Sequence, residues 1–400
     1  MGNQPISKQV LEKHPELNEP KPFYTILFDM HSLMKTSMVD KRLNSKGEIY
    51  GMVFQTILKI KILLGKKDFQ HVYAMYDGIN SGQLAIDQGL IEYKSNRQGK
   101  NFDFWENNSE PESDYYKEMD KFMRKVLDNK KKPLDPQKVS EQQSFFDQKK
   151  IIMEMLEELG IRQLEYKLCE GDSLLGYYVQ HKLPNERIVI VSSDLDLAQL
   201  ISDSNFVCVY NLRLSVFLSE ATFKKNYLYP AVNILTQKLI TGDNSDCVHG
   251  CKGVGLKTLH EIMPELLERP VSVDEIVERA KLLSEERVKN KLKEKKALYN
   301  IINQVTDGSH KEGQLYSINK NIMDLTNPLL TDEAIEGLEE MMYSPLDMSD
   351  RSLSNLYKLM IKYNIDELLN ENKFSSFFST FSGLRDKEIK FYDKWVKDNN

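Results

Sequence analysis

Five short apolar runs recur along the first half of the chain: Tyr24–Asp29, Val72–Asp77, Ile161–Tyr166, Ile188–Ser192 and Phe206–Tyr210. Each is nearly continuous in its apolar character and only a few residues long, which is how strands covered on both faces read. Segments of helical pattern separate them, among them Met52–Leu64 and Ile151–Leu159. The alternation predicts an α/β fold, a mostly parallel central sheet flanked by helices. Between about 80 and 150 the rhythm breaks into polar, charged and aromatic sequence with Phe102, Phe104, Trp105, Tyr115 and Tyr116, which predicts an inserted segment. Past Pro230 the pattern is helical throughout and includes a Lys-rich run, Lys289–Ala297. The expected divisions are a flexible, proline-bearing tail over 1–22, a core over 23–228 carrying the insertion, and an all-helical domain over 229–400.

Several of the apolar runs end in acid. Asp29 closes the first, Asp77 the second, and Asp194 with Asp196 follows the fourth. In open parallel sheets the functional crevice lies beyond the carboxyl ends of the strands, so these side chains are expected to converge. An extended backbone would send Asp194 and Asp196 to one side. Glu170 and Asp172 open a helical segment, and Asp243 and Asp246, three apart, would share one face of a helical turn. Any one pair reads equally well as helix caps, which stabilise a first turn by about 0.5–2 kcal/mol. Eight acids at four or five separate element ends are harder to explain that way. Two unit charges 4 Å apart repel by about 4 kcal/mol at an effective dielectric of 20, so a convergent cluster needs cations. Oxygen ligands without histidine favour Mg²⁺ or Mn²⁺ over zinc.

The net charge of −6 first argues against a nucleic-acid partner. Neutralising the eight carboxylates with bound metal would leave the rest of the chain near +2, which permits local basic patches. Four cysteines, Cys169, Cys208, Cys247 and Cys251, do not make a disulfide framework in a chain of 400 residues and suit a reducing cytoplasm. No run approaches the roughly 20 apolar residues of a membrane span, and the first 22 residues lack the apolar stretch of a signal peptide, so a soluble cytoplasmic protein is expected, in the host cytoplasm if viral.

Six motifs in one order resemble those of the 5′ nuclease (flap endonuclease) superfamily, with the layout most similar to its bacteriophage ribonuclease H branch: Leu27-FDMHSL, Met75-YDG, Glu92-YKSNR, Glu170-GDSLLG, Ser192-SDLDLAQL and Gly242-DNSDCVHGCKGVGLKTL. The likeness covers residues 24 to about 262 and implies a PIN-like nuclease core, a helical arch at the insertion and a helix–three-turn–helix at about 240–262. It further implies two Mg²⁺ ions, for which Mn²⁺ can substitute. Asp29, Asp77, Glu170 and Asp172 match the first metal cluster; Asp194, Asp196 and Asp246, with Asp243 nearby, match the second. The implied reaction is hydrolysis of phosphodiester bonds at 5′ flaps or 5′ ends of DNA and RNA–DNA duplexes, as in primer removal, leaving a 5′-phosphate. Ser173 stands where phage and bacterial members usually carry another acid, a departure that implies weaker metal binding.

For DNA, the resemblance assigns Lys94 and Arg97 to the scissile phosphate and lets Tyr93 stack on an unpaired end base. Gly250, Gly253 and Gly255 would let backbone N–H groups approach duplex phosphates, with Lys252 and Lys257 adding charge and a K⁺ ion at the turn. Expected partners are branched or nicked DNA and RNA–DNA hybrids, together with a replication protein such as a single-strand binding protein or sliding clamp; the chain itself is expected to be monomeric.

Other readings compete. Cys247, His249, Cys251 and His260 invite zinc, but no second tightly spaced ligand pair follows. Asp194 and Asp196 form the Asp-x-Asp of aspartyl-nucleophile phosphatases, whose acids instead follow the first strand. A non-catalytic DNA-binding module of the same fold is the rival from another class, although a binder has no need of the acids.

Overall fold

The structure, a computed structural model, describes residues 22–90, 92–94, 136–308, 313–365, 367 and 371–399. Its first strand, β1 (Phe23–Asp29), runs into α1 (Met30–Ser37), followed by α2 (Gly51–Leu64), β2 (Phe69–Met75), the short α3 (Gln83–Asp87) and α4 (Pro136–Glu158). Then come β3 (Arg162–Leu164), α5 (Gly171–His181), β4 (Glu186–Ser192), a 3₁₀ turn at Asp196–Leu200, β5 (Val207–Asn211), β6 (Val216–Leu218) and α6 (Glu220–Tyr227). The remainder comprises α7 (Asn233–Thr241), a ribbon of β7 (Gly242–Asp243) and β8 (Val248–His249), α8 (Leu256–Ile262), α9 (Val273–Lys289), α10 (Lys296–Ile302), α11 (Leu315–Met323), α12 (Asp332–Met341), α13 (Leu353–Lys362) and α14 (Glu371–Asn399).

The sheet order is β3-β2-β1-β4-β5-β6, parallel except for β6, which pairs antiparallel with β5. Alternation along each strand supplies both faces of the core. Ile26 and Phe28 of β1 join Val72, Ala74, Val189 and Val191 beneath α1, α2 and α4, whereas Leu27 joins Tyr73, Met75, Ile188 and Ile190 beneath α5. That two-sided burial is why the strands read as unbroken apolar runs, and each such side chain contributes about 1.5–3 kcal/mol.

The expected divisions change in three places. The helix expected from Ile151 begins at Pro136, so it reaches back into the insertion. The chain past Pro230 contains the β7–β8 ribbon and is therefore not purely helical. It also does not form one separate domain. Residues of α7–α11 share a core built on Ile240, Leu259, Ile276, Leu298 and Ile301, but α12 packs on the α5 face of the sheet through Ala334 and Leu338. Helices α13 and α14 return to the opposite face through Leu356, Met360, Phe378 and Phe381. A buried, bidentate ion pair ties α14 down: Arg162 of β3 donates to Glu388 at 2.6 and 2.8 Å. The tail and most of the insertion, including Phe102, Phe104, Trp105, Tyr115 and Tyr116, lie outside the described residues. Among the described residues no helix is long and apolar enough to cross a membrane.

Candidate metal centre

Strand order reverses between β1 and β4: from β1 the chain moves on to β2 and β3 on one side, and from β4 to β5 on the other. In doubly wound sheets the crevice opens at such a switch point. Asp29 stands there. It caps α1 by accepting the Ser32 N–H at 3.0 Å, so the cap reading holds for it in part. Its other oxygen accepts the Ser192 hydroxyl at 2.6 Å, because register pairs Phe28 with Val191 and sets Ser192 alongside. Burial pushes the Asp29 carboxyl up to about 7 despite these two hydrogen bonds, with the charges of Asp77 and Asp194 adding to the shift.

Asp77, two residues past β2, accepts the Gly171 N–H at the start of α5 at 2.8 Å, and His31 of α1 lies 3.7 Å from its other oxygen. Burial would raise its pKa, but the charges of His31 and Lys94 and the Gly171 N–H outweigh it and hold Asp77 below the usual carboxylate range. Asp172, in the first turn of α5, goes the other way. Burial and then the charges of Asp29, Asp194, Asp77 and Glu170 push it well above that range. Those four acids surround Asp172 closely enough to govern its ionisation. Ser173, beside it, is buried and adds no charge. Glu170 meets Lys94, whose ammonium donates to it at 2.5 Å and lies 3.9 Å from Asp246.

The second group departs from the expected geometry. The backbone does not stay extended after β4: the Asp194 carboxylate accepts the Asp196 N–H at 2.9 Å, and Asp196 opens the 3₁₀ turn. Asp243 lies in β7 and Asp246 in the turn to β8, not on one helical face, because Gly242 at φ +74° ends α7 before either. Asp196 and Asp243 are nevertheless brought together by Lys238 of α7, which ion-pairs with both, at 2.5 Å to Asp243. Burial lifts Asp196 to about 6 against the pull of Lys238, while Lys238 and Ser245 overcome burial and hold Asp243 low. Lys238 and His31 are the charged groups that sequence reading missed. Lys238 precedes Asp243 by five residues on an amphipathic helix, and no spacing rule singles it out.

Among the described residues no three His, Cys, Asp or Glu side chains are arranged to hold one ion as they stand, and Lys94 and Lys238 compensate the carboxylates. The donor set itself fits a hard divalent cation: carboxylate oxygens, crowded and partly or wholly buried, with burial raising the pKa of Asp29, Asp172 and Asp196.

The nucleic-acid residues divide. Tyr93 is not available to stack on a base: it is 6% exposed, packs with Ala85, Leu90, Leu239 and Val248, and donates its hydroxyl to Glu170 at 3.0 Å. Arg97 lies outside the described residues. Helices α7 and α8 flank a glycine-punctuated connection. Gly250 is required by contact: a Cβ there would meet Thr241 at 2.2 Å. Gly253 sits at φ +70° in open space and Gly255 precedes α8. Lys257 is exposed, whereas Lys252 is paired with Asp307 at 2.5 Å. The zinc reading fails among these residues, since His249 bonds Glu92, His260 meets Gln237 and Cys251 meets Tyr316. The acids of the first strand and of β4 share one crevice, unlike the single strand end of the phosphatase reading.

Residues 24–228 match the family described as the 5′-3′ exonuclease, N-terminal resolvase-like domain. The chain belongs to this family. Among its relatives, a 5′-3′ exonuclease of Halalkalibacterium halodurans is 28% identical over 118 residues, 29% of this chain and 39% of that protein. A 5′-3′ exonuclease of Buchnera aphidicola is 32% identical over 111 residues, 27% of this chain and 37% of that protein. DNA polymerase I of Bacillus subtilis is 29% identical over 162 residues, 40% of this chain and 17% of the polymerase. The matches thus span well under half of these relatives' own lengths. Among solved structures, the T5 D15 protein co-crystallised with metal ions superposes with a TM-score of 0.52 at 14% identity, covering 90% of this chain and 99% of that one. T5 5′-exonuclease with bound zinc gives 0.50 with the same coverage. At that identity the likeness establishes the family's fold, here with its mostly parallel sheet and helical C-terminal region.

Proposed function

We propose that the protein is a divalent-metal-dependent, structure-specific 5′ nuclease that hydrolyses phosphodiester bonds at 5′ flaps or 5′ ends of DNA and RNA–DNA duplexes, leaving a 5′-phosphate. The observation that carries the reading is the crowding of Asp29, Asp77, Glu170, Asp172 and Asp194 at the β1/β4 switch point, where burial and mutual charge raise the pKa of Asp29 and Asp172. A binding module has no use for so costly an arrangement. In support, the chain shares its family with 5′-3′ exonucleases, and the T5 D15 protein was crystallised with metal ions.

Asp29, Asp77, Glu170 and Asp172 would hold one Mg²⁺ or Mn²⁺ ion, and Asp194, Asp196, Asp243 and Asp246 a second. Such ions supply hydroxide from bound water near neutral pH and offset charge on the phosphate. The chain's own residues do the rest. Lys94, at φ +49° with its backbone N–H on the Asp246 carbonyl, is fixed where its ammonium can turn from Glu170 to a scissile phosphate. Burial would lower the Lys94 pKa, but Glu170, Tyr93 and Asp246 raise it well above the ordinary lysine value, so it stays a cation. Arg97 would join it from the arch. Gly250, Gly253 and Gly255 with Lys252 and Lys257 would take the duplex backbone, with K⁺ at the turn. The division at 22, a monomeric state and a replication-protein partner belong to the same proposal.

The test is cleavage of labelled 5′-flap, nicked and RNA–DNA substrates with Mg²⁺ or Mn²⁺. Wild type cleaves with metal and stops with chelator. Asp196→Ala abolishes cleavage and keeps DNA binding. Binding without any metal-dependent cleavage would establish the non-catalytic module instead.

A further inference from the structure

The Lys-rich run Lys289–Ala297 closes α9 and leads into α10. From Arg287 to Lys296 the chain carries six cations and one acid, Glu294, a local +5 in a protein of net −6. Residues 288–294 are all exposed. Among the described residues Lys289, Lys291, Lys293 and Lys296 make no ion pair, while Lys295 stands 3.6 Å from Glu261 of α8.

Such a run is usually a solvated face. Two observations argue for more here. First, the loop is held in shape. The Arg287 guanidinium donates twice to the Lys293 carbonyl, at 2.9 and 2.7 Å, the Leu292 N–H returns to the Arg287 carbonyl at 2.8 Å, and Lys291 turns at φ +53°. The most strongly forked cation is thus spent on fixing backbone that presents like charges, an arrangement that costs repulsion unless an anion is met. Second, the loop is fastened to the glycine connection. Asn300 of α10 donates to the Lys252 carbonyl at 2.8 Å, and the Lys252 N–H donates to the Val305 carbonyl at 2.8 Å. Leu298 and Ile301 of α10 share a core with Leu259 and Ile262 of α8. Helix α10, seven residues and about 10 Å long at 1.5 Å per residue, is thus tied to the glycine connection and carries the lysine loop at its N-terminal end.

We propose that the α9–α10 lysine loop is a second phosphate-binding site, which takes up the backbone of duplex nucleic acid beyond the glycine connection and lengthens the bound duplex arm. Lys289, Lys291 and Lys293 are the contacts. The inference rests on the nuclease reading for its substrate, and its test separates the two.

Full-length protein is titrated with 5′-flap DNA bearing a duplex arm of about 8 or 20 base pairs, in chelator, over a range of salt. The triple variant Lys289→Gln, Lys291→Gln, Lys293→Gln is compared with wild type. With about 0.9 counterions released per phosphate contact, its salt slope on the long arm falls by about 2–3 and its affinity by about tenfold at moderate salt. The short arm is bound nearly as by wild type, and the triple Lys→Arg variant keeps the long-arm affinity. An unchanged slope overturns the proposal and points to an acidic protein partner; an equal loss on both arms overturns it in favour of diffuse charge. Should the Gln triple not fold, Lys291→Glu is read against the same two arms. Mg²⁺-dependent cleavage by wild type is followed in parallel. An inactive wild type defeats the nuclease reading, and an active one with an unaltered loop variant defeats only the loop.

Discussion

Lys238 holds together the two carboxylates that a second metal ion would need, so its removal should make the protein more dependent on that ion. The Lys238 side chain is 22% exposed, and its ammonium pairs with Asp196 and lies 2.5 Å from Asp243. In Lys238→Met the two acids lose their common counter-ion. Like charges about 4 Å apart repel by about 1 kcal/mol in water and about 4 at an effective dielectric of 20. With the site partly open, about 2 kcal/mol of lost stability in chelator is the reasonable figure. The same arithmetic applies to an arriving divalent ion, which in wild type meets a resident positive charge. Because Lys238 can swing outward, only about 1–2 kcal/mol of that repulsion is felt, or about tenfold in Kd. Differential scanning calorimetry with and without Mg²⁺ reads both effects. The variant melts lower than wild type in chelator, and its gain on adding Mg²⁺ is larger. If the Mg²⁺-induced gain equals that of wild type, Lys238 does not compete with a metal ion and the argument fails.

Three further outcomes follow from other groups. Lys94→Ala should slow single-turnover cleavage at least about 100-fold with a much smaller change in substrate Kd, since the proposed reaction places its ammonium on the reacting phosphate; a loss confined to affinity counts against that role. Asp29 and Asp196, lifted to about 7 and about 6, and Asp172, lifted well above the usual carboxylate range, bind more protons folded than unfolded, so their contribution to stability without metal falls as pH rises from about 4 through the folded-state values. Bound Mg²⁺ favours the ionised forms, so the gap between melting curves with Mg²⁺ and with chelator should widen from pH 5 to pH 8, and a constant gap would contradict it. Glu388→Ala should cost about 3–5 kcal/mol in chemical unfolding by stranding the buried Arg162, with the double variant Arg162→Met, Glu388→Ala recovering part of the loss.

What could be read in the sequence followed the range of the interactions that enforce it. The sheet and its acid-tipped strand ends were legible because two-sided burial writes a continuous apolar run, and the carboxyl end of such a run is where the chain leaves the core. The acids themselves were legible for the same reason, since Asp29 directly ends β1. Local backbone geometry at the site was less so. An Asp-x-Asp can continue a strand or fold onto its own N–H, and the choice at Asp194 is made by the Ser192 hydroxyl, shared between the Asp194 N–H and Asp29 across the sheet. Tyr93 shows the same limit, because a tyrosine in polar sequence signals exposure until Ala85, Leu90 and Val248 close over it. Lys238 lay beyond reach altogether: it is one lysine among many, given meaning by carboxylates on two other segments. The return of α14 to the sheet was written in Phe374, Phe377, Phe378, Phe381 and Leu384 at helical spacing, a stripe that has to be buried, but the sequence does not name the surface. That surface is the α2 and α4 side of the sheet, and Arg162 at the start of β3 supplies the anchor for Glu388. The core of this family member is therefore completed by its last helix, so truncation before α14 should expose Ile60, Phe54 and Ile152 and weaken the sheet from the side opposite α5.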